Sequence, residues 1–242
     1  MRAIVLAGGR GSRLRPYTVV LPKPLMPIGD RPVLDIVVRQ LRRAGFERLT
    51  VATGYLAELI EAFLGDGGSY GIAVDYFREA KPLGTAGSLA LIEGLEEPFL
   101  VMNGDVLTDL DYSRLLADHA ASDAIATIAT RRREVEVQLG VLHFGNALDA
   151  MRLTDYHEKP QIEYEASMGV YCFSPRVSEH IVPGEPLDFP ELILRLIAAG
   201  EIVRGWRSSA YWLDIGSHDD YERAQEEFES VRDRLIPPDP PA

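Results

Sequence analysis

The sequence predicts an α/β fold, a mostly parallel sheet with helices on both faces and a small antiparallel lobe built onto it. Two patterns carry that expectation. Through residue 129, short apolar runs alternate with stretches whose apolar residues recur at helical spacing, as parallel strands joined by right-handed crossover helices require. Beyond that point strand-like runs follow one another with no long helix between them, which suits antiparallel pairing.

The elements follow in order. Residues 3–6 form a short apolar segment that reads as a buried strand and breaks into glycines and basic side chains. Residues 32–44 have helical spacing, open with Pro32 and stop at Gly45. A strand at 49–52, a helix at 56–64 and a strand at 73–77 complete β-α-β-α-β. Residues 84–92 are predicted as a helix with glycines at its start, and 99–103 as a continuous apolar strand running into Gly104 and Asp105. A helix at 112–121 and a buried strand at 124–129 follow. The lobe comprises 139–144, 150–156 and 166–173, placed where it would cover a substrate. A helix at 189–199, short strands at 202–206 and 210–213, and a long charged helix at 218–234 close one domain over 1–235. Residues 236–242, four of them proline, read as a disordered tail.

Composition excludes several classes. A chain of 242 residues with 46% hydrophobic and 26% charged side chains can bury a sizeable core. No apolar run approaches the roughly 20 residues of a membrane helix, so no membrane partner is expected. Met1 leads within one residue into the first strand, which leaves no room for a signal peptide and points to a cytoplasmic location. The one cysteine, Cys172, lies in an apolar run and reads as a buried strand residue. Scattered histidines and a single cysteine give no zinc-ligand spacing.

Charge is unevenly placed. Residues 1–29 hold Arg2, Arg10, Arg13, Arg15 and Lys23 and no acid, so they carry +5 in a chain of net −12. A basic loop in so acidic a protein points to a small polyanion rather than nucleic acid. Gly8, Gly9 and Gly11 let backbone N–H groups converge on an anion with no side chains in the way. A dinucleotide fingerprint fails, because the third glycine position after Gly9 and Gly11 is Leu14; a Walker loop fails, because Lys23 is flanked by prolines. Arg131–Arg132–Arg133 reads as a solvated basic loop.

The run from Leu6 to Pro16 (LAGGRGSRLRP), followed by Pro22, Lys23 and Pro24, resembles the signature of the sugar-1-phosphate nucleotidylyltransferases, nearest to GDP-mannose pyrophosphorylases and related bacterial guanylyltransferases. The similarity continues at later places as far as about Tyr221. It implies a Rossmann-like three-layer α/β/α nucleotidyltransferase fold and the making of an NDP-sugar and pyrophosphate from a nucleoside triphosphate and a sugar 1-phosphate. GTP with mannose-1-phosphate or a heptose-1-phosphate is the reading taken. The same chemistry with UTP, dTTP or another triphosphate and a glucose-type sugar stays open, as does a non-catalytic regulatory homologue that binds a nucleotide-sugar; a homodimer is left open too.

The resemblance also implies a site. Arg13 and Lys23 would hold the phosphates, and Asp105 and Asp214 a Mg²⁺ ion, so that these four form the catalytic set. Leu6, Ala7, Gly8, Gly9, Gly11, Ser12, Arg13, Gly54, Tyr55, Leu83, Gly84, Thr85 and Gly104 would bind the nucleotide, with Gly84 letting backbone approach a flat purine. Gly140, Glu158, Lys159, Ser167 and Gly169 would bind the sugar phosphate. Ser167 departs from the asparagine common there, which changes the hydrogen-bond set offered to the sugar.

Overall fold

The computed structural model describes residues 1–145 and 151–236. The expected strand start at Ala150 and the expected tail from Pro237 lie outside the described residues. In chain order the elements are β1 (Arg2–Ala7), β2 (Pro27–Ile28), β3 (Arg31–Pro32), α1 (Val33–Arg43), β4 (Arg48–Thr53), α2 (Ala57–Leu64), β5 (Ala73–Arg78), β6 (Phe99–Asn103), β7 (Val106–Thr108), α3 (Tyr112–Ala120), β8 (Ala126–Glu136), β9 (Gly140–Phe144), β10 (Leu153–Glu158), β11 (Gln161–Phe173), α4 (Phe189–Ala198), β12 (Val203–Arg207), β13 (Trp212–Asp214) and α5 (His218–Leu235).

Seven strands form the central sheet in the order β12-β8-β11-β6-β1-β4-β5. β1 runs parallel to both neighbours, β4 and β6, and β5 continues that direction. Only β11 is reversed, pairing antiparallel with β6 and β8. The sheet is therefore mixed and mostly parallel, as expected. Period-2 alternation sends Ala3, Val5 and Ala7 of β1 to one face and Ile4 to the other, with Leu100 and Met102 of β6 opposed to Phe99 and Val101 in the same way. The first face packs against α1, α2, α3 and α5; the second packs against α4 and the 3-10 turn Gly87–Leu91. These are three layers around a sheet. Cys172 is buried within it. Among the described residues no helix is long and apolar enough to cross a membrane.

Three expectations are corrected. Residues 84–92 do not form an α-helix: Gly84 sits at φ +73°, and Ala86 and Gly87 both donate to the Leu187 carbonyl, at 2.9 and 3.1 Å, so the chain is tied to a neighbouring loop and keeps one short 3-10 turn. Arg131–Arg133 are not a solvated loop but the middle of β8, held by its long antiparallel ladder with β11. There Arg132 pairs with Glu163, Arg131 donates to the Ser209 and Ala210 carbonyls, and the Arg133 guanidinium lies 5.0 Å from the Trp212 ring centre. The lobe is smaller than expected. β9 and β10 make a separate two-stranded antiparallel ribbon, while 166–173 belongs to the central sheet.

Candidate active site

The carboxyl ends of β1, β4, β5 and β6 lie side by side, the edge at which open α/β sheets place ligands. A cavity of about 330 Å³ sits there, lined by Leu6, Ala7, Gly8, Gly9, Lys23, Pro24, Ala52, Glu79, Pro82, Gly84, Thr85, Asn103 and Asp105. Eight of these were expected from the sequence: Leu6, Ala7, Gly8, Gly9, Lys23, Gly84, Thr85 and Asp105.

Further expected residues form the wall behind it. Gly54 packs on Gly8 so closely that a Cβ would lie 2.9 Å from the Gly8 carbonyl oxygen, and Tyr55 donates its N–H to that same oxygen at 3.3 Å. Gly104 donates to the Leu6 carbonyl at 2.9 Å, and a Cβ there would meet that oxygen at 2.8 Å. The loop after β1 turns through Gly11 at φ +58°, and the Thr18 hydroxyl donates to the Gly11 carbonyl at 2.7 Å. Ser12 opens the short 3-10 turn Ser12–Leu14 that follows. Leu83 is buried and donates its N–H toward Glu79 Oε2 at 3.4 Å.

Thr85 has a structural duty as well. It donates N–H and hydroxyl to Asp188, while its hydroxyl accepts the Phe189 N–H at 2.9 Å at the start of α4. The missing side chain of Gly84 faces the Leu187 carbonyl oxygen, 2.5 Å from where a Cβ would stand. Close packing of two loops thus requires glycine at this edge of the cavity.

Asp105 and Asp214 come together through a second small sheet. β7, which begins just after Asp105, pairs antiparallel with β13, opposing Asp214 to Val106, and Ile215 donates to the Asp105 carbonyl at 3.2 Å. Asp214 is exposed at the mouth of the cleft, yet the protein around it withdraws enough water to push its carboxyl above its ordinary value, and the negative charge of Asp105 adds to the effect, partly offset by Lys23 and Arg13. Lys23 forms an ion pair with Asp105 Oδ2. Asp105 Oδ1 is buried without a hydrogen-bond partner among the described residues. An orphaned buried carboxylate oxygen beside a second carboxylate that stays open to the cleft suits a hard cation that takes oxygen ligands. Among the described residues no cluster of three or more His, Cys, Asp or Glu forms a cage. Such a pair leaves positions for phosphate oxygens and water, the usual arrangement for Mg²⁺. Arg13 lies nearby, its guanidinium 3.7 Å from the Cβ position of Gly216, just past β13.

The sugar-phosphate set divides in two. Gly140, Glu158 and Lys159 meet on the separate ribbon, where Gly140 pairs with Glu158 and Lys159 turns the chain at φ +46°. The Tyr156 ring lies against Gly140, where any Cβ would collide with it, and its hydroxyl donates to Glu158 at 2.6 Å. Ser167 and Gly169 instead lie at the irregularity of β11, and Asn103 Nδ2 is 2.8 Å from the Cβ position of Gly169. Neither group lines the 330 Å³ cavity. Sequence reasoning missed Glu79 and Asn103, each at or just past the carboxyl end of a core strand, the edge at which α/β sheets place ligands once the strands are assembled.

The chain is similar to known proteins over most of its length. The family model described as nucleotidyl transferase matches residues 2–231. A UTP–glucose-1-phosphate uridylyltransferase from Synechocystis is 33% identical over 93% of this chain and 62% of its own length, so the chain spans somewhat less than two thirds of that relative. A D-glycero-alpha-D-manno-heptose 1-phosphate guanylyltransferase from Aneurinibacillus thermoaerophilus is 32% identical over 95% of this chain and 99% of its own. The crystal structure of HddC from Yersinia pseudotuberculosis, also solved complexed with GMP-PN, superposes with a TM-score of 0.70 at 28% identity, covering 94% of this chain and 99% of that one.

Proposed function

The chain belongs to the nucleotidyl transferase family, and we propose that it joins a nucleoside triphosphate, GTP in the first place, to a sugar 1-phosphate, mannose- or heptose-type, releasing pyrophosphate. The observation that carries this reading is one cavity lined by Gly8, Gly9, Lys23 and Asp105, with Asp214 against Asp105. Glycine backbone, a cation and paired carboxylates at the ligand end of a parallel sheet suit a polyphosphate substrate. Kinship to a heptose-1-phosphate guanylyltransferase matched over nearly its whole length supports the choice of guanine and sugar.

A phosphate oxygen of the sugar 1-phosphate attacks the α-phosphorus; an O–P bond forms as the bond to the leaving pyrophosphate breaks. The attacking oxygen is already an anion at neutral pH, so no general base is needed. Catalysis is positioning and charge. The N–H groups of Gly8 and Gly9 cradle the phosphates, Lys23 stabilises charge on the attacked phosphate, Arg13 holds the leaving pyrophosphate and Lys159 the incoming phosphate. Asp105 and Asp214 would hold Mg²⁺, which when bound neutralises phosphate charge that amides and cations alone leave exposed. A cytoplasmic location, where both substrates are made, is part of the same reading.

The same transfer from UTP is a second reading, favoured by the kinship at 33% identity to a uridylyltransferase. Pyrophosphate release measured across a grid of nucleoside triphosphates and sugar 1-phosphates separates the two. Fastest turnover with GTP supports the first; fastest turnover with UTP replaces it by the second; no release with any pair removes the enzymatic reading.

A further inference from the structure

We infer that His218 is a positioning residue for the proposed transfer: by donating to the Arg15 carbonyl it fixes the turn that carries Arg13, and with it the seat of the leaving pyrophosphate. The inference rests on the reaction proposed above and adds a part played by α5. Arg13 is exposed in the short 3-10 turn Ser12–Leu14, of which Leu14 alone is buried. An exposed arginine on a loop is a poor anchor for an anion, because ordering a long side chain together with its backbone costs conformational entropy at each binding event. The turn avoids part of that cost by being held at both ends. The Thr18 hydroxyl donates to the Gly11 carbonyl at its start, and at its end His218 Nε2 lies 2.7 Å from the Arg15 carbonyl oxygen. A carbonyl only accepts, so Nε2 carries the hydrogen.

His218 opens α5, and its place on that helix gives the contact its reach. Residues 218, 221 and 225 recur at helical spacing and share one face. Tyr221 and Gln225 both donate to the Pro27 carbonyl, at 2.8 and 2.7 Å, and Gln225 Oε1 accepts the Gly29 N–H at 3.0 Å. The helix packs close at this point: a Cβ on Gly29 would stand 2.4 Å from the Phe228 ring. One helix face therefore holds the basic segment on both sides of Lys23, at Arg15 before it and at Pro27 after it. The Tyr17 ring neighbours both contacts, its centre 5.8 Å from that of the His218 imidazole and 6.0 Å from that of the Tyr221 ring. α5 also begins shortly after Asp214, the last residue of β13, so Asp214, Arg13 and Lys23 are all placed relative to the same helix. On the Lys23 side two side chains and the Phe228 packing share that task. On the Arg13 side, among the described residues, the hydrogen bond from α5 is the one from His218.

The reverse reaction isolates the pyrophosphate seat. In it a pyrophosphate oxygen attacks the nucleotidyl phosphorus of a nucleotide-sugar, and the bond to the sugar phosphate breaks, giving a nucleoside triphosphate and a sugar 1-phosphate. The assay uses the full chain, inorganic pyrophosphate and the nucleotide-sugar of the pair that the substrate grid selects, GDP-mannose in the first place. In His218→Phe, which keeps a ring beside Tyr17 and removes the donor, KM for pyrophosphate is expected to rise roughly tenfold while KM for the nucleotide-sugar moves less than about twofold. In His218→Gln, whose side-chain amide supplies an N–H at similar reach, KM for pyrophosphate is expected to return to within about threefold of the unaltered chain. A folded His218→Phe chain with unchanged KM for pyrophosphate overturns the inference and leaves the reaction standing. So does an equal rise in both KM values, or a His218→Gln chain no better than His218→Phe. Should circular dichroism show His218→Phe unfolded, His218→Ala is read by the same criterion; unfolding of both overturns the inference, because a positioning contact is dispensable to the fold. A grid with no productive pair removes the proposed reaction, and this inference with it.

Discussion

Lys23 answers one oxygen of Asp105 while the other is buried without a partner among the described residues, so the ammonium and the carboxylate pair serve different parts of a polyphosphate. Removing the cation by Lys23→Ala, or the nearby guanidinium by Arg13→Ala, is expected to cost roughly 3 kcal/mol of transition-state stabilisation, about a hundredfold in kcat/KM, because a preorganised donor to developing charge is lost. Steady-state kinetics beside circular dichroism checks it; unchanged turnover in a folded variant removes that residue from the mechanism. Asp214 makes the opposite trade. Its pKa is raised by loss of water in the cleft and by Asp105, so its ionised form costs folding stability once pH rises through that raised pKa, and the cost vanishes as pH falls below the ordinary carboxylate range. The residue is still exposed and solvent screens much of that cost, so Asp214→Asn is expected to abolish turnover while raising Tm at pH 7.5 only slightly, the gain shrinking toward pH 4. A Tm at or below that of the unaltered chain at pH 7.5 contradicts the desolvation argument.

At the scale of an element, the segment 83–88 and the approach to α4 form one unit. Leu187 donates to the Leu83 carbonyl at 2.9 Å and accepts from Ala86 and Gly87, while Thr85 donates to the Asp188 carboxylate and accepts the Phe189 N–H at the α4 start. Gly84→Ala forces a Cβ to 2.5 Å from the Leu187 oxygen in a left-handed conformation. Strain of this kind costs about 1–3 kcal/mol. Urea unfolding is expected to show that loss, and proteolysis to open the chain first around residues 84–88. An unfolding midpoint equal to that of the unaltered chain would show the two loops to be less tightly joined than the backbone bonds indicate.

Across the whole molecule, acid stability runs through the buried His119 on α3. Its Nδ1 is 2.8 Å from Thr127 Oγ1 of β8, and burial lowers its pKa below 6.5. The unfolded chain binds the proton more readily, so this group's contribution is complete above about pH 6.5 and lost as pH falls toward the lowered folded value. Unfolding midpoints in urea are expected to decline below pH 6.5 in the unaltered chain and to decline less in His119→Gln. Equal slopes would place the acid sensitivity elsewhere. The coupling is global because Thr127 stands in register with Cys172 of β11 and Arg204 of β12, so a charged imidazole disturbs the sheet at that point.

Local chemistry was legible in the residues. Alternating apolar periods give the helices α1 to α5 and the core strands, because burial of a face depends only on which residues recur at 2.0 or 3.6. Gly8, Gly9 and Lys23 stand out in the chain because glycine and lysine carry their backbone freedom and charge wherever they lie, whereas Asp105 was marked only by the family resemblance. Pairing across long separations was not legible. That 84–92 is tied to Leu187, that Arg131–Arg133 run inside β8, and that β11 joins the central sheet follow from contacts with segments tens of residues away, which no local period encodes. The placement of Glu79 belongs to the same class. In the chain it is one acid among many; only the neighbouring ends of β1, β4 and β5 bring its carboxylate against Gly8 at the cavity.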